Sequence, residues 1–255
     1  MIDRTKLERH DGIATLYLDR PPVNAIDTDL IRSLAEHLSQ IEAAGDVRAL
    51  VVTGAGACFS AGLDLKAVPR YTLAEQRDMI NTLNRTVGRL YSLPIPTVAA
   101  VNGHAIAGGL VLALACDYRV GPTTPSCQLG LTEARAGIPF PAAAMAIVHA
   151  ELAPAVARRT TLVARNVGPE AALASGILDE LQPPDRLLSR AHALAHDLGA
   201  SPHTAYARIK RQLRAPAIAH IERTLSAGDD PMLVSWLSPE TQAAAASLLA
   251  GDRKP

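Results

Sequence analysis

Residues 104–118 read HAIAGGLVLALACDY. A Gly-Gly step, Gly108-Gly109, opens onto an apolar segment, Leu110 to Cys116, that stays uncharged until Asp117. From Ala105 to Cys116 the run is about 12 residues, short of the roughly 20 a membrane span needs, so it reads as a buried helix with two glycines at its mouth. A helix N-terminus presents unpaired backbone N–H groups and a partial positive charge. Glycine lets an oxygen approach that backbone closely. A site at Gly108 could therefore stabilise a developing negative oxygen. Read alone, the step fits a close contact between helix and strand better.

Working outward, Thr97 to Val101 reads as a strand before this segment and Tyr118 to Val120 as another after it. Ile13 to Leu18 alternates in the period of a strand, and Val47 to Thr53 is β-branched enough for a buried one. Between these two lies a helix with Leu30, Leu34, Leu38 and Ile41 on one face, capped by Asp27 or Thr28 and ended by Gly45. Thr72 and Glu75 fit a capping box that opens a second helix, with Met79, Ile80, Leu83, Val87 and Leu90 inward. LPIP stops it. Strands alternating with helices predict an α/β fold with parallel strands. Beyond about residue 140 the pattern turns helical. PEAALASGILDEL reads as a short helix, a glycine stop and a terminal strand, and three or more helices follow, the last opened by Ser238 to Glu240. We divide the chain into an α/β core over 1–195 and a helical region over 196–255 that packs on the core or on a neighbouring subunit.

Composition narrows the function. Lys and Arg number 25, as do Asp and Glu, so no electrostatic footprint for nucleic acid or an anionic membrane is expected. Aromatic content of 3% argues against a base-stacking surface. Cys58, Cys116 and Cys127 read as buried free thiols in a reducing compartment, and no signal-peptide pattern opens the sequence, so a cytoplasmic location is expected. His149 and Glu151 lack metal-site spacing, no H-E-x-x-H occurs, and no cysteine pair has zinc spacing, so no metal is expected. Ser60 lacks the glycines of a nucleophile elbow, and Cys58 has no identifiable histidine partner. Neither glycine pattern matches a phosphate-binding loop.

One ordered set of motifs gives a firmer reading: PPVNAI at 21–26, FSAGLDL at 59–65, AAVNGHAIAGG at 99–109, LALACDYR at 112–119, GLTEARAGI at 130–138 and PEAALASGILDEL at 169–181. In this order and spacing the chain resembles the enoyl-CoA hydratase/isomerase (crotonase) superfamily. The resemblance implies a spiral of β-β-α repeats with a helical C-terminal region used in trimerisation, a homotrimer or a dimer of trimers, and an acyl-CoA thioester as substrate with no further cofactor. It implies an oxyanion hole made by the backbone N–H groups of Leu63 and Gly108. Val23, Asn24, Ala25, Ala61, Gly62, Asp64, Leu65 and Gly109 would line the path of CoA, and Lys210 would stand near its adenine end. Asp64 also reads as a residue that holds its own loop through Asx-type hydrogen bonds.

Hydratases of this superfamily use two glutamates. Here the first of those positions is Val111, beside the substrate, and the second is Glu133. Adding water across a double bond needs a water placed and activated while a proton is delivered, work that two carboxylates share. Moving a double bond from C3 to C2 needs one base that takes a proton from C2 and returns it to C4. An apolar Val111 would exclude water and raise the pKa of Glu133 by desolvation. With PPVN, RLYSLPIP at 89–96, GLTEARAGI and VSWLSPETQ at 234–242, the narrower likeness is to mitochondrial-type Δ3,Δ2-enoyl-CoA isomerases. The alternatives are a hydratase or another acyl-CoA reaction on the same scaffold, and a non-catalytic acyl-CoA-binding protein. Tyr71 to Leu90 and Phe140 to Met145 are expected to set the width of the acyl pocket.

Overall fold

A computed structural model describes residues 3–235. Two sheets organise the chain. The larger contains β1 (Thr5–His10), β2 (Ile13–Leu18), β3 (Ala49–Gly54), β5 (Thr97–Ala100), β7 (Tyr118–Pro122) and β9 (Glu180–Gln182), hydrogen-bonded in that order. β1 and β2 form an antiparallel hairpin whose turn, Asp11-Gly12, takes positive φ at both residues, as a two-residue hairpin requires. Every later pairing in this sheet is parallel. The smaller sheet is parallel throughout: β4 (Cys58–Ser60), β6 (His104–Ile106) and β8 (Leu129–Gly130).

The chain therefore advances by repeats, each laying a strand in the large sheet, a short strand in the small one, and then a helix. β3 and β4 lead to α2 (Leu73–Ser92), β5 and β6 to α3 (Gly108–Leu114), and β7 and β8 to α4 (Glu133–Ala136). This is the open β-β-α spiral expected. The short strands have no signature in the sequence, because two or three residues carry no period to recognise. β1 is equally silent in the sequence: it is an edge strand with only Thr5 buried, so it lacks an apolar face.

Central strands are buried on both faces, as parallel strands between helical layers must be. Leu50 and Val52 face the main core with α1 (Thr28–Ala43) and α2, while Ala49 and Val51 face α8 (Pro184–Gly199) through Leu187, Ala191 and Ala195. Asp27 caps α1 by accepting the N–H of Leu30 at 2.8 Å. Thr72 and Glu75 form the reciprocal capping box of α2. A boundary at residue 195 falls inside α8. Ala195 is fully buried with the sheet-facing residues, so the whole helix belongs to the core layer. α5 (Ala142–Glu151) and α9 (His203–Ala227) pack on each other and on α2, and α10 (Met232–Ser235) returns to α2. The helix start at Ser238 and most of the VSWLSPETQ stretch lie outside the described residues. Among those described, no helix is long and apolar enough to cross a membrane.

Candidate active site

The three short strands run parallel, so their C-terminal ends share one edge. The segments leaving that edge carry the predicted catalytic groups. Leu63 follows β4 by three residues, Gly108 follows β6 by two, and Glu133 follows β8 by three. Loops beyond the carboxyl ends of parallel strands are where α/β folds gather ligand contacts.

The residues before the two candidate donors both take positive φ: Gly62 at 77° and Ala107 at 50°, with ψ −126° for Ala107. A non-glycine residue there is strained, and such strain is held at sites that need a particular peptide orientation. A Cβ added to Gly108 would lie 4.0 Å from the Leu63 nitrogen and 3.2 Å from Ile26 Cδ1. One added to Gly62 would come within 3.0 Å of the Gly108 nitrogen. The two amides thus border one gap, and among the described residues neither donates to a backbone acceptor. Gly109 differs. A Cβ there would run into the Ser60 carbonyl, so Gly109 is required by helix–strand packing. The packing reading of the Gly-Gly step therefore belongs to Gly109, while Gly108 borders the gap.

Ile26, Leu63, Gly108, Val111 and Glu133 line one cavity together with Leu83, Asn84 and Val87 of α2 and with Ile138, Pro139, Pro141, Ala143 and Ala144. Among the residues lining it, Glu133 is the ionisable one. Its side chain is buried, its Oε2 has no hydrogen-bond partner, and Val111 beside it is apolar and 2% exposed. Burial pushes the Glu133 carboxyl up to about 8, opposed by its own backbone N–H. Such a group can accept a proton near neutral pH and give it back, which is what a proton shuttle must do.

A groove on the surface shares Leu63 with this cavity. Val23, Ala25, Ala61, Asp64 and Leu65 line it, with Arg4, Arg20 and Lys66 along its side. Asp64 holds this loop: its Oδ1 accepts the N–H groups of Lys66 and Ala67, and its Oδ2 meets Arg20 at 2.6 Å. Burial opposes its ionisation, but Arg20 and the two amides keep its carboxyl below the ordinary range. Asn24 faces inward instead. It is fully buried, with its Nδ2 donating to the Ala55 and Cys58 carbonyls, and so pins the strand β4.

Lys210 departs from expectation. It is 6% exposed, with Nζ donating to the Ile95 carbonyl at 3.0 Å and to Asp117 Oδ2 at 2.9 Å. An ammonium so enclosed is not presented to a ligand's phosphates, and it lines neither the cavity nor the groove. The groove cations Arg4 and Lys66 escaped the sequence reading because their convergence is tertiary. Arg20 stands directly before PPVNAI and carried the available signal.

The family model described as Enoyl-CoA hydratase/isomerase matches residues 8–247. The "Putative enoyl-CoA hydratase" of Thermus thermophilus is 36% identical over 207 residues, 80% of this chain and 81% of that protein. Among solved structures, the human mitochondrial Δ3-Δ2-enoyl-CoA isomerase superposes with a TM-score of 0.91 at 26% identity, covering 97% of each chain. The Mycobacterium tuberculosis enoyl-CoA isomerase gives 0.81 at 32% identity over 89% of this chain and 98% of its own.

Proposed function

The chain belongs to the enoyl-CoA hydratase/isomerase family, with that family's hydratase- or isomerase-type chemistry on an enoyl-CoA, and from this premise we propose that it moves the double bond from C3 to C2. The thioester oxygen lies between the amides of Leu63 and Gly108. Ionised Glu133 takes a proton from C2, and the electron pair passes into an enolate whose oxygen those amides stabilise. The now neutral Glu133 returns the proton to C4, and the double bond forms between C2 and C3. Proton and charge both return to their starting places, so one carboxyl group suffices. Val23, Ala25, Ala61 and Leu65 line the pantetheine path, and Arg4 and Lys66 take the phosphates of CoA.

What carries this reading is the lone buried Glu133 beside an apolar Val111: among the described residues the cavity wall offers no second carboxylate to position water. Glu133→Gln tests it with a 3-enoyl-CoA substrate. Turnover should fall about 1000-fold while acyl-CoA binding persists; a variant isomerising near the wild-type rate would refute the assignment.

A hydratase is the second reading, favoured by the name of the Thermus thermophilus relative. Incubation with a 2-enoyl-CoA and mass detection of an added water separates the two. We further propose a homotrimer, alone or paired. Leu162, Val163, Ile209 and Leu213 are between 52% and 79% exposed, and burying them between subunits would remove apolar surface from water. Light scattering of the purified chain tests it.

A further inference from the structure

Besides Glu133, the side chains that line the cavity are apolar except one. Asn84, 1% exposed, stands beside Leu83, Val87, Ala143 and Ala144. A buried amide costs free energy unless its groups are bonded. Those of Asn84 are: Oδ1 accepts the Ala143 N–H at 2.9 Å, and Nδ2 donates to Asp230 Oδ2 at 2.7 Å. Asp230 is 3% exposed and follows Gly228, whose φ of 67° ends α9 and turns the chain. The same Oδ2 accepts the Ala142 N–H at 2.8 Å, and Oδ1 accepts the Met232 N–H at 2.8 Å. Met232 is fully buried.

Three elements distant in sequence therefore meet at one point: α2, the first turn of α5, and the segment after α9. α5 has no side-chain cap at its own N-cap, Pro141. Its first two amides are satisfied by Asn84 and Asp230, groups from outside the helix. The cavity that Asn84 lines, with Asp230 bonded behind it, is about 30 Å³, against the roughly 10–15 Å³ that one water needs. An acyl tail that extends between α2 and α5, whose Leu83, Asn84, Val87, Ala143 and Ala144 line this cavity, parts the two helices and strains these charge-assisted bonds.

We propose that the Asn84–Asp230 pair is the end stop of the acyl site, with Asp230 a positioning residue that restricts this chain to short acyl-CoA substrates. The proposal rests on reading the cavity as the acyl site and is independent of which way the double bond moves.

The test uses the whole chain and two readouts: calorimetric Kd for hexanoyl-CoA and dodecanoyl-CoA, and kcat and KM for the corresponding 3-enoyl-CoA esters. The wild type should bind the six-carbon chain more tightly. Each methylene newly admitted to an apolar wall is worth about fourfold in binding. Asp230→Ala should therefore shift the ratio of the two Kd values by about tenfold or more toward dodecanoyl-CoA. In turnover the shift should appear in KM rather than kcat. Asp230→Asn keeps an oxygen for Asn84 and Ala142 and should restore most of the wild-type ratio. Should Asp230→Ala fail to fold, Met232→Ala loosens the same segment without stranding a polar group and should move the ratio the same way by less. An unchanged ratio in the folded variants, or a wild type that binds dodecanoyl-CoA as tightly as hexanoyl-CoA, overturns the end stop. Binding of neither ester overturns the acyl-site reading and the end stop with it.

Discussion

Two carboxyl groups, the buried Glu133 and the half-buried Asp117, lie at opposite ends of the logic of this molecule. Asp117 follows α3 and is surrounded by donors. Lys210 and Arg214 pair with it at 2.9 and 3.0 Å, the Tyr206 hydroxyl donates at 3.0 Å, and the Thr97 amide at 2.8 Å. Arg214 in turn stacks over the Tyr91 ring at 3.9 Å. Glu133 has an apolar wall and an oxygen without a partner. A charge supplied with every partner is fixed and serves the fold. A charge denied them is costly, and its proton becomes easy to exchange near neutral pH.

The comparison breaks most sharply at Glu133. Glu133→Gln should lower kcat by about 1000-fold with acyl-CoA affinity nearly preserved, measured by steady-state kinetics and calorimetry. Retention of kcat would mean that the unpaired carboxyl group has no part in the proton transfer. Asp117→Ala should do the reverse. Removing one partner from a buried ion cluster costs about 3–5 kcal/mol, seen as a lower denaturant midpoint, while the fraction still folded keeps its kcat. A kinetic defect there without a stability defect would erase the distinction.

The same contrast appears in pH dependence. In the folded chain Glu133 holds its proton up to about 8, whereas in the unfolded chain it releases it near the ordinary 4.5. The unfolded state therefore loses its proton first as pH rises. Stability from this group is full below about 4.5 and declines as pH climbs toward 8. Each tenfold difference in ionisation constant is worth about 1.4 kcal/mol. Glu133→Gln should flatten that decline in denaturation curves taken across the range. Isomerase kcat/KM should move oppositely, rising with pH to a midpoint near 8 as the base form fills. A profile flat from pH 6 to 9 would remove Glu133 from the role of base.

Much of the frame was legible before coordinates. Hydrophobic periods located α1 and α2, the capping box at Thr72 is a local signal, and the Gly-Gly step pointed to the mouth of α3. Convergence was not legible. The short strands that bring Leu63, Gly108 and Glu133 to one edge carry no pattern of their own, since β8 spans two residues. Asp117 stands out in the sequence only as the first charge after the apolar segment. Its partners come from α9, about 90 residues away, where a lysine that folds inward looks in sequence like a solvated one. Asn84 and Asp230 are equally silent, because a polar residue on an amphipathic helix or in a turn needs no explanation until the neighbour is seen.

The smallest expected effect isolates two lysines. Lys66 is at the groove that continues from Leu63, and Lys210 is enclosed with Asp117. A solvent-facing cation that meets a phosphate contributes little energy, about 1 kcal/mol or less, and loses it to salt. Lys66→Met should raise KM for the enoyl-CoA ester about threefold to fivefold at low ionic strength, with the difference fading as salt is added and kcat untouched. Lys210→Met leaves the groove intact but removes a partner from Asp117, so it should lower the denaturant midpoint and leave KM where it was. Burial also pulls the Lys210 ammonium below its ordinary range while Asp117 pulls it back, so its loss is felt by the fold. If instead Lys210→Met raised KM in a salt-dependent way and Lys66→Met did nothing, the cation that serves the ligand would be the one on α9, and the division between a paired structural charge and an available one would be drawn in the wrong place.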